Sequence, residues 1–214
     1  MDRLPVILAS SSQRRIDILS SLGWKYECIS PDIDETPWEG EIADQLVVRL
    51  SIGKAQVVAD SNPGCIIIAA DSVVEVDGRV YGKPNSPSEA EAMLKEIRGT
   101  DHRIHSGITV INSATGNIRS HCVTTKVHAR NYTDVEIRQS INRGTPFDKA
   151  GGYAIQDSCL NPVKILEGCY SGSLGLPVCK LIEIMVDMRQ DIQNTNFVQD
   201  SECKPLCVYE RGNQ

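Results

Sequence analysis

The stretch Ile66-Ile67-Ile68-Ala69-Ala70-Asp71-Ser72-Val73-Val74 decides the fold and contains the first candidate site residue. Its apolar, β-branched opening follows the turn pair Pro63-Gly64, which is typical of a buried strand. Asp71 would then lie at the carboxyl end of that strand, where α/β sheets bind their ligands. Lys83 follows within Gly82-Lys83-Pro84. A lysine near an aspartate suits a phosphate-bearing, metal-assisted substrate, and it equally suits a surface ion pair beside a hairpin, so these residues alone leave both open.

Strand-like and helix-like apolar patterns alternate around that strand. They predict, in chain order, a strand at 6–9, a helix that ends at Gly23, a strand at 26–29, a helix at 43–59, a helix from Pro87 to Gly99, two long hairpin strands at 103–111 and 118–129, a helix at 133–142 and a last helix at about 175–190. Ser86 and Thr133 are the expected helix caps. This order predicts an α/β fold with a mixed, twisted central sheet flanked by helices.

Length, composition and charge restrict the class of protein. The 214 residues can bury a full core, and 41% hydrophobic with 23% charged residues is ordinary for a globular protein. The net charge of −6 argues against a protein that coats nucleic acid. No apolar run approaches the ~20 residues of a membrane span, and the first residues are too short an apolar stretch for a signal peptide. We therefore expect a cytoplasmic protein with no nucleic-acid or membrane partner.

The cysteines and the C-terminal residues give weaker signals. The 8 cysteines are scattered, mostly within apolar segments, which predicts reduced, buried thiols. Cys203 and Cys207 are close together but have neither a second ligand pair for zinc nor the Cys-x-x-Cys redox spacing. Residues 191–214 lack periodicity. We expect a single domain at 1–190 and a C-terminal extension at 191–214 whose removal leaves activity nearly intact.

A candidate anion site lies at the first strand-to-helix turn, Ser10-Ser11-Ser12, which is followed by Arg14 and Arg15. Free backbone N–H groups, small hydroxyls and the helix dipole favour an anion there, and arginines add bidentate donors for phosphate oxygens. An ordinary N-cap followed by solvated arginines would have the same sequence.

Other polar side chains could contribute chemistry, although each also has a structural explanation. They are the acidic loop with Asp32, Asp34 and Glu35 as hard oxygen ligands for Mg²⁺, Lys54 and Lys83 as phosphate clamps, His102 and His105 as general bases, and Gln156 as an amide that reads a nucleobase edge. Taken singly, none of them decides the function.

Taken together, these residues resemble the Maf family of nucleotide pyrophosphatases over about residues 4–190. The matching blocks, in family order, are Leu8-Ala9-Ser10-Ser11-Ser12-Gln13-Arg14-Arg15, Asp34-Glu35, Leu50 with Lys54-Ala55, Ala70-Asp71-Ser72-Val73-Val74, Gly82-Lys83-Pro84, the segment 148–156 and Gly175-Leu176-Pro177. The segment 148–156 and the hydroxyl residue after Asp71 are similar to the branch that acts on dTTP and UTP rather than on 7-methyl-GTP. The resemblance implies a two-lobed fold with a cleft, of the Maf and inosine-triphosphatase type.

The resemblance also implies a reaction, in which water attacks a nucleoside triphosphate to give the monophosphate and pyrophosphate. Asp71 would orient and deprotonate that water, and Glu35 with Asp71 would hold Mg²⁺ or Mn²⁺. The implied substrate-binding residues are Ser10, Ser12, Arg14, Arg15, Lys54, Ser72, Lys83 and Gln156, of which Arg14, Ser72 and Gln156 match the positions for base selection. The family is commonly homodimeric, so a homodimer is an open expectation.

Some departures from the family pattern leave the base preference open. Gln13 replaces the usual Pro, Ser72 the usual Thr and Asp157 the usual Gly, and the segment 171–174 also differs. Asp157 would add a negative charge near the expected base pocket. Two other functions stay open: a nucleotide-binding regulator of septum formation without turnover, and a purine-directed pyrophosphatase of the inosine-triphosphate type, which the Gln156 segment disfavours.

Overall fold

The structure is a computed structural model that describes residues 3–190 and the short strand 208–210. The strands are β1 (Val6–Leu8), β2 (Glu27–Cys28), β3 (Ile66–Val76), β4 (Arg79–Tyr81), β5 (Asp101–Asn112), β6 (Asn117–Ala129), β7 (Val163–Glu167) and β8 (Val208–Glu210). The helices are α1 (Gln13–Ser21), α2 (Ala43–Ser61), α3 (Pro87–Ile97), α4 (Asp134–Asn142), α5 (Tyr170–Ser173) and α6 (Val178–Asp187). Two 3₁₀ turns, Thr145–Asp148 and Ala150–Gly152, follow α4.

The strands form one mixed sheet in the order β2-β1-β3-β5-β6-β7-β8, and β4 pairs with β3 beyond the end of β1. β1 is parallel to β2 and β3, whereas all the other pairs are antiparallel. The predicted hairpin is formed by β5 and β6. The predicted α/β fold with a mixed central sheet flanked by helices is confirmed.

Alternation along β3 places helices on both faces of the sheet. Ile66 and Ile68 face the cluster that includes apolar residues of α1 and α6. Ile67 and Ala69 face the opposite way, toward apolar residues of α2. A further cluster packs α3 and α4 around the later part of β3, from Val74 onward. The two ends of β3 therefore lie in different apolar clusters. The expected cleft lies between these clusters, at Asp71 and Ser72.

The helix starts follow the predicted capping chemistry. The Ser86 hydroxyl accepts a hydrogen bond from the Glu89 N–H at 3.1 Å, with Pro87 in the first turn. Thr133 and Glu136 form a reciprocal capping box at the start of α4. Each cap satisfies a backbone donor that the helix itself leaves unpaired.

Several expectations about local structure are wrong. Asp71 is not at the end of its strand, because β3 continues to Val76: Val74 pairs with both β4 and β5, and Val76 pairs with β4. The last helix begins at Val178, directly after Pro177, whose ring fits only the first turn of a helix. β7 and the one-turn helix α5 precede it, and neither is evident from the sequence pattern.

The expectation of reduced, buried thiols is right only in part: Cys28, Cys65, Cys122, Cys159 and Cys169 are free thiols, but none of these five is fully buried. Cys28 is exposed, whereas Cys65, Cys122, Cys159 and Cys169 are only partly buried. Cys179 is disulfide-bonded. Cys203, Cys207 and most of the extension lie outside the described residues. Among the helices of the described part, none is long and apolar enough to cross a bilayer.

Candidate active site

A cleft of about 400 Å³ opens beside β3 at Asp71. β1 pairs with β3 only through Ile68, and β4 joins the same edge at Val74. The intervening part of β3 therefore has no strand partner on that edge within residues 3–190. The polar lining of the cleft consists of Ser12, Arg14, Arg15, Glu35, Lys54, Asp71, Ser72, Lys83, Asp148 and Ser173. Most of the site residues predicted from sequence are thus brought together.

Lys54 lies between the two carboxylates that the sequence singled out. Its Nζ is 2.5 Å from Oδ1 of Asp71 and 2.7 Å from Oε1 of Glu35. Lys54 and Asp71 are buried, whereas Glu35 is about half exposed. Burial alone would raise the pKa of Glu35, but the Lys54 hydrogen bond and the charges of Lys54, Lys83 and Arg15 outweigh it, so its pKa is lowered. Glu35 is therefore an anion at neutral pH.

Arg15 reaches the cleft from α1 and is fixed by backbone and hydroxyl partners. Its Nε donates to the Gly175 carbonyl at 2.9 Å, and its Nη1 lies 3.4 Å from the Ser10 hydroxyl oxygen. Burial lowers the pKa of Arg15, and the Asp71 carboxylate opposes that effect. Ser10 is itself buried and also accepts a hydrogen bond from the Ser12 N–H at 3.1 Å. Ser10 is not in the lining; it supports the turn and Arg15 from behind.

Ser72 and Arg14 are two further polar residues of the lining. The Ser72 hydroxyl is 2.9 Å from the Ser106 hydroxyl, and Ser106 in turn donates to the Gly172 carbonyl at 2.8 Å. Sequence reasoning missed Ser106, which continues this hydroxyl chain from β5. The Nε of Arg14 is buried and has no hydrogen-bond partner among the described residues. Burial lowers the pKa of Arg14, and the Asp148 carboxylate opposes that effect. An acceptor on a ligand would satisfy this donor.

Gln156 and Asp157 are not in the lining of the cleft. Gln156 is exposed, and its Nε2 donates to the Tyr170 hydroxyl at 3.1 Å, although its neighbour Ile155 does line the cleft. The Asp157 carboxylate accepts hydrogen bonds from the Ser140 hydroxyl at 2.9 Å and the Cys159 N–H at 2.8 Å. The negative charge that the sequence placed near the base pocket is therefore used to close a turn.

His102 and His105 also lie outside the lining and have structural partners. The Nε2 of His102 is 2.5 Å from the Tyr153 hydroxyl, and burial lowers the pKa of His102 to about 4. The Nε2 of His105 is 2.6 Å from Oε2 of Glu75. Neither histidine is placed to take a proton from a molecule in the cleft.

The cleft carboxylates could take part in binding a divalent cation together with a ligand. Over the described residues, no group of three or more His, Cys, Asp and Glu side chains is arranged to hold a metal ion by itself. Glu35 and Asp71 contact one ammonium group, so their oxygens already share a positive charge. Mg²⁺ commonly takes one or two protein carboxylates and completes its shell with water and substrate phosphates. This donor set fits an ion that arrives with a phosphate ligand.

Gly107 is the other residue that sequence reasoning missed. It pairs with Asp71 across β3 and β5, and a Cβ atom there would collide with the backbone of α2. A glycine in the interior of a long strand pattern is a signal of close backbone approach, although the sequence does not say which backbone approaches.

The chain is similar in sequence to proteins of a known family. A family model described as "Maf-like protein" matches residues 5–188. A dTTP/UTP pyrophosphatase of Geotalea uraniireducens is 39% identical over 180 residues, which cover 84% of this chain and 93% of the relative. One from Pelotomaculum thermopropionicum is 37% identical, with 84% and 94% covered. Among solved structures, the Ham1 protein of Staphylococcus aureus aligns with a TM-score of 0.42 and 19% identity over 59% of this chain and 72% of that chain. That structural likeness is too slight to bear on function.

Proposed function

This chain belongs to the Maf family, and on that premise we propose that it is a nucleoside triphosphate pyrophosphatase that hydrolyses dTTP and UTP to the monophosphate and pyrophosphate. The names of the relatives support this substrate choice. The observation that carries the proposal is the contact of Lys54 with both Asp71 and Glu35 on the wall of the cleft. A buried ammonium and two carboxylates facing an open cleft suit chemistry on a charged ligand.

Asp71 is the residue that we expect to act on water. The attacking water must lie in line with the departing pyrophosphate at the α-phosphorus. The Asp71 carboxylate is fixed on a central strand and by Lys54, so it can orient this water and accept its proton. No other carboxylate of the cleft lining lies on the sheet itself.

The positive side chains of the lining are expected to bind the triphosphate. Arg15, Lys54 and Lys83 all act electrostatically on Glu35, and all three line the cleft with it. Ser12 lies directly before the start of α1, where unpaired N–H groups and the helix dipole favour an anion. Negative charge develops on the leaving pyrophosphate, and these groups would stabilise it.

The apolar part of the cleft lining is suited to the base. Val74, Tyr153 and Ile155 supply an apolar wall, and Arg14 and Ser72 add polar groups beside it. The buried, unpartnered Nε of Arg14 could donate to a pyrimidine carbonyl. Gln156 follows Ile155 at the rim and could contribute its amide only by leaving Tyr170.

Glu35 and Asp71 are the residues that we expect to hold a divalent cation when substrate binds. Mg²⁺ or Mn²⁺ there would neutralise phosphate charge and lower the pKa of a bound water. We also propose that residues 1–190 form the catalytic domain and that the protein is cytoplasmic and forms a homodimer. A regulator without turnover would leave the cluster of Lys54, Asp71 and Glu35 without a purpose, so we do not favour it.

The test is pyrophosphate release by the purified full chain with Mg²⁺ or Mn²⁺, across dTTP, UTP, CTP, 7-methyl-GTP and ITP. We expect cleavage of dTTP and UTP, and its loss in Asp71→Asn. Asp60→Asn is the matched control, because Asp60 is an exposed aspartate on α2 whose carboxylate accepts a hydrogen bond from Gln56 of its own helix. Cleavage of a different nucleotide would keep the reaction and replace dTTP and UTP as the substrates. Binding without turnover of any of the five nucleotides would refute the proposal.

A further inference from the structure

The loop 29–42, between β2 and α2, carries Glu35 to the cleft without regular secondary structure of its own. Glu35 needs a fixed position, because it shares Lys54 with Asp71. The loop must therefore be held by side chains. The contacts between the loop and α2 identify the side chains that hold the loop.

Arg49 of α2 makes most of these contacts. Its Nε and Nη2 donate to the two carboxylate oxygens of Glu41 at 2.6 and 2.7 Å, and Nη2 also donates to the Thr36 carbonyl at 3.1 Å. Its guanidinium carbon lies 4.1 Å from the centroid of the Trp38 ring. A bidentate carboxylate pair combined with stacking on an aromatic ring is a geometry that arginine can provide and lysine cannot.

The pair of Arg49 and Glu41 is a fully charged one. The hydrogen bond to Arg49 is the main cause that lowers the pKa of Glu41, and the same bond raises the pKa of Arg49. Glu41 in turn accepts a hydrogen bond from the Trp38 N–H at 3.0 Å. The guanidinium therefore closes the second half of the loop on itself and attaches it to the helix.

Helix spacing places Arg49 outside the cleft but next to the backbone that carries Glu35. Thr36, whose carbonyl Arg49 binds, directly follows Glu35 in the chain. Four residues after Arg49, on the same face of α2, Gly53 faces Ile33 of the loop, whose Cδ1 would lie 3.4 Å from a Cβ atom on residue 53. Arg49 is not among the lining residues, so any effect on the reaction must pass through the loop.

We propose that Arg49 is a positioning residue, which sets Glu35 against Lys54 by clamping Thr36, Trp38 and Glu41 of the loop to α2. This inference rests on the proposed pyrophosphatase function, since it assigns Arg49 a part in the same reaction. The helix α2 then determines the position of Glu35 in the cleft, because it supplies both Lys54 and Arg49.

A double-mutant cycle on kcat/KM for dTTP tests the proposal, with Arg49→Met, Glu35→Gln and the double variant. Arg49→Met should lower kcat/KM by roughly 10- to 100-fold, the usual cost when a supporting residue is removed. In the Glu35→Gln background the same substitution should cost less than about threefold, because the group that it positions is already lost. Equal costs in both backgrounds would overturn the proposal.

The matched control is Arg98→Met. Arg98 also joins a carboxylate and a backbone carbonyl, those of Asp134 at 2.6 Å and Tyr132 at 3.2 Å, but it follows α3 and binds the start of α4 instead of the loop 29–42. We expect it to leave kcat/KM within about twofold of the native value, since exposed ion pairs contribute little.

Hydrogen–deuterium exchange supplies a readout that does not depend on turnover. Amides of 36–41 should exchange at least about tenfold faster in Arg49→Met and faster, to a smaller extent, in Glu41→Gln, because local opening becomes easier once the clamp is lost. Arg98→Met should leave them unchanged. Unaltered exchange in both loop variants would refute the clamp even if activity fell. Absence of turnover in the native protein would instead count against the proposed function, and the exchange data would still test the clamp.

Discussion

Gly107 of β5 lies against the backbone of Val47 in α2, so closely that a Cβ atom on residue 107 would be 2.1 Å from the Val47 carbonyl oxygen. Gly107 is also the residue that pairs with Asp71 across β3 and β5. Lys54 follows Val47 by two helical turns on the same side of α2. The missing side chain therefore brings α2 close enough to the sheet for Lys54 to reach Asp71.

Gly107→Ala should accordingly reduce both stability and activity. The new methyl group meets backbone rather than a flexible side chain, so α2 must move away, and overpacking of this kind costs about 1–3 kcal/mol or more in the free energy of unfolding. Urea unfolding and kcat/KM for dTTP measure the two effects. Gly82→Ala is the control for stability, because the added Cβ there has no atom within 4 Å among the described residues, its chain neighbours aside. Native-like unfolding of Gly107→Ala would contradict this account of the packing.

The two lysines of the lining should behave differently when they are replaced. Lys54→Met leaves the buried Asp71 carboxylate unpaired, and loss of one partner of a buried pair costs about 3–5 kcal/mol in the free energy of unfolding. Lys83 is exposed, so Lys83→Met should unfold like the native protein and mainly raise KM for dTTP.

Denaturant unfolding at neutral pH and steady-state kinetics separate these two effects. Combining Lys54→Met with Asp71→Asn should recover part of the lost stability, since neither member of the buried pair then carries a charge. A double variant that is less stable than Lys54→Met alone would show that the cost of removing Lys54 has another origin.

The buried imidazole of His102 should make the free energy of unfolding depend on pH. Burial lowers the pKa of His102 from 6.5 to about 4, so between these pH values the unfolded chain binds a proton that the folded protein does not. The free energy of unfolding therefore falls as the pH drops from 6.5 toward 4, by roughly 3 kcal/mol from this group. Urea unfolding as a function of pH, in the native protein and in His102→Gln, measures it.

The control for this titration is His121→Gln, at an exposed histidine of β6. His102→Gln should flatten the pH dependence over this interval, whatever its stability at pH 7, and His121→Gln should leave the slope unchanged. The same slope in all three proteins would show that His102 is not the group responsible.

The sequence predicted which residues line the cleft better than it predicted their exact arrangement. Asp71, Lys54 and Glu35 could be anticipated because their types and order in the chain match a known pattern. The position of Asp71 in the interior of β3 could not be anticipated, because it depends on where the neighbouring strand β1 ends and where β4 begins. The same holds for Gly107, whose role depends on a contact with α2, a helix some 60 residues earlier in the chain.

The directions of the side chains could not be predicted from the sequence either. Asp157 follows Gln156 in the segment assigned to base selection, and only the turn that it closes onto Cys159 shows that its charge is used locally. Ser10 is likewise turned inward beneath Arg15. Motif spacing places a residue near a site, but local hydrogen bonds decide whether its side chain faces that site.

Gln156 gives the last prediction, because its assignment to base selection and its position conflict. Its amide is bound to the Tyr170 hydroxyl outside the lining. If the amide reads the base, it must first leave Tyr170, and Tyr170→Phe would remove that competitor. We therefore expect Tyr170→Phe to lower KM for dTTP by about two- to fivefold, the worth of a neutral, solvent-exposed hydrogen bond. Gln156→Ala should weaken the preference for dTTP and UTP over CTP, and it should abolish the effect of Tyr170→Phe in the double variant. If Gln156→Ala left the nucleotide preference intact, base selection would fall to Arg14 and Ser72, which already line the cleft.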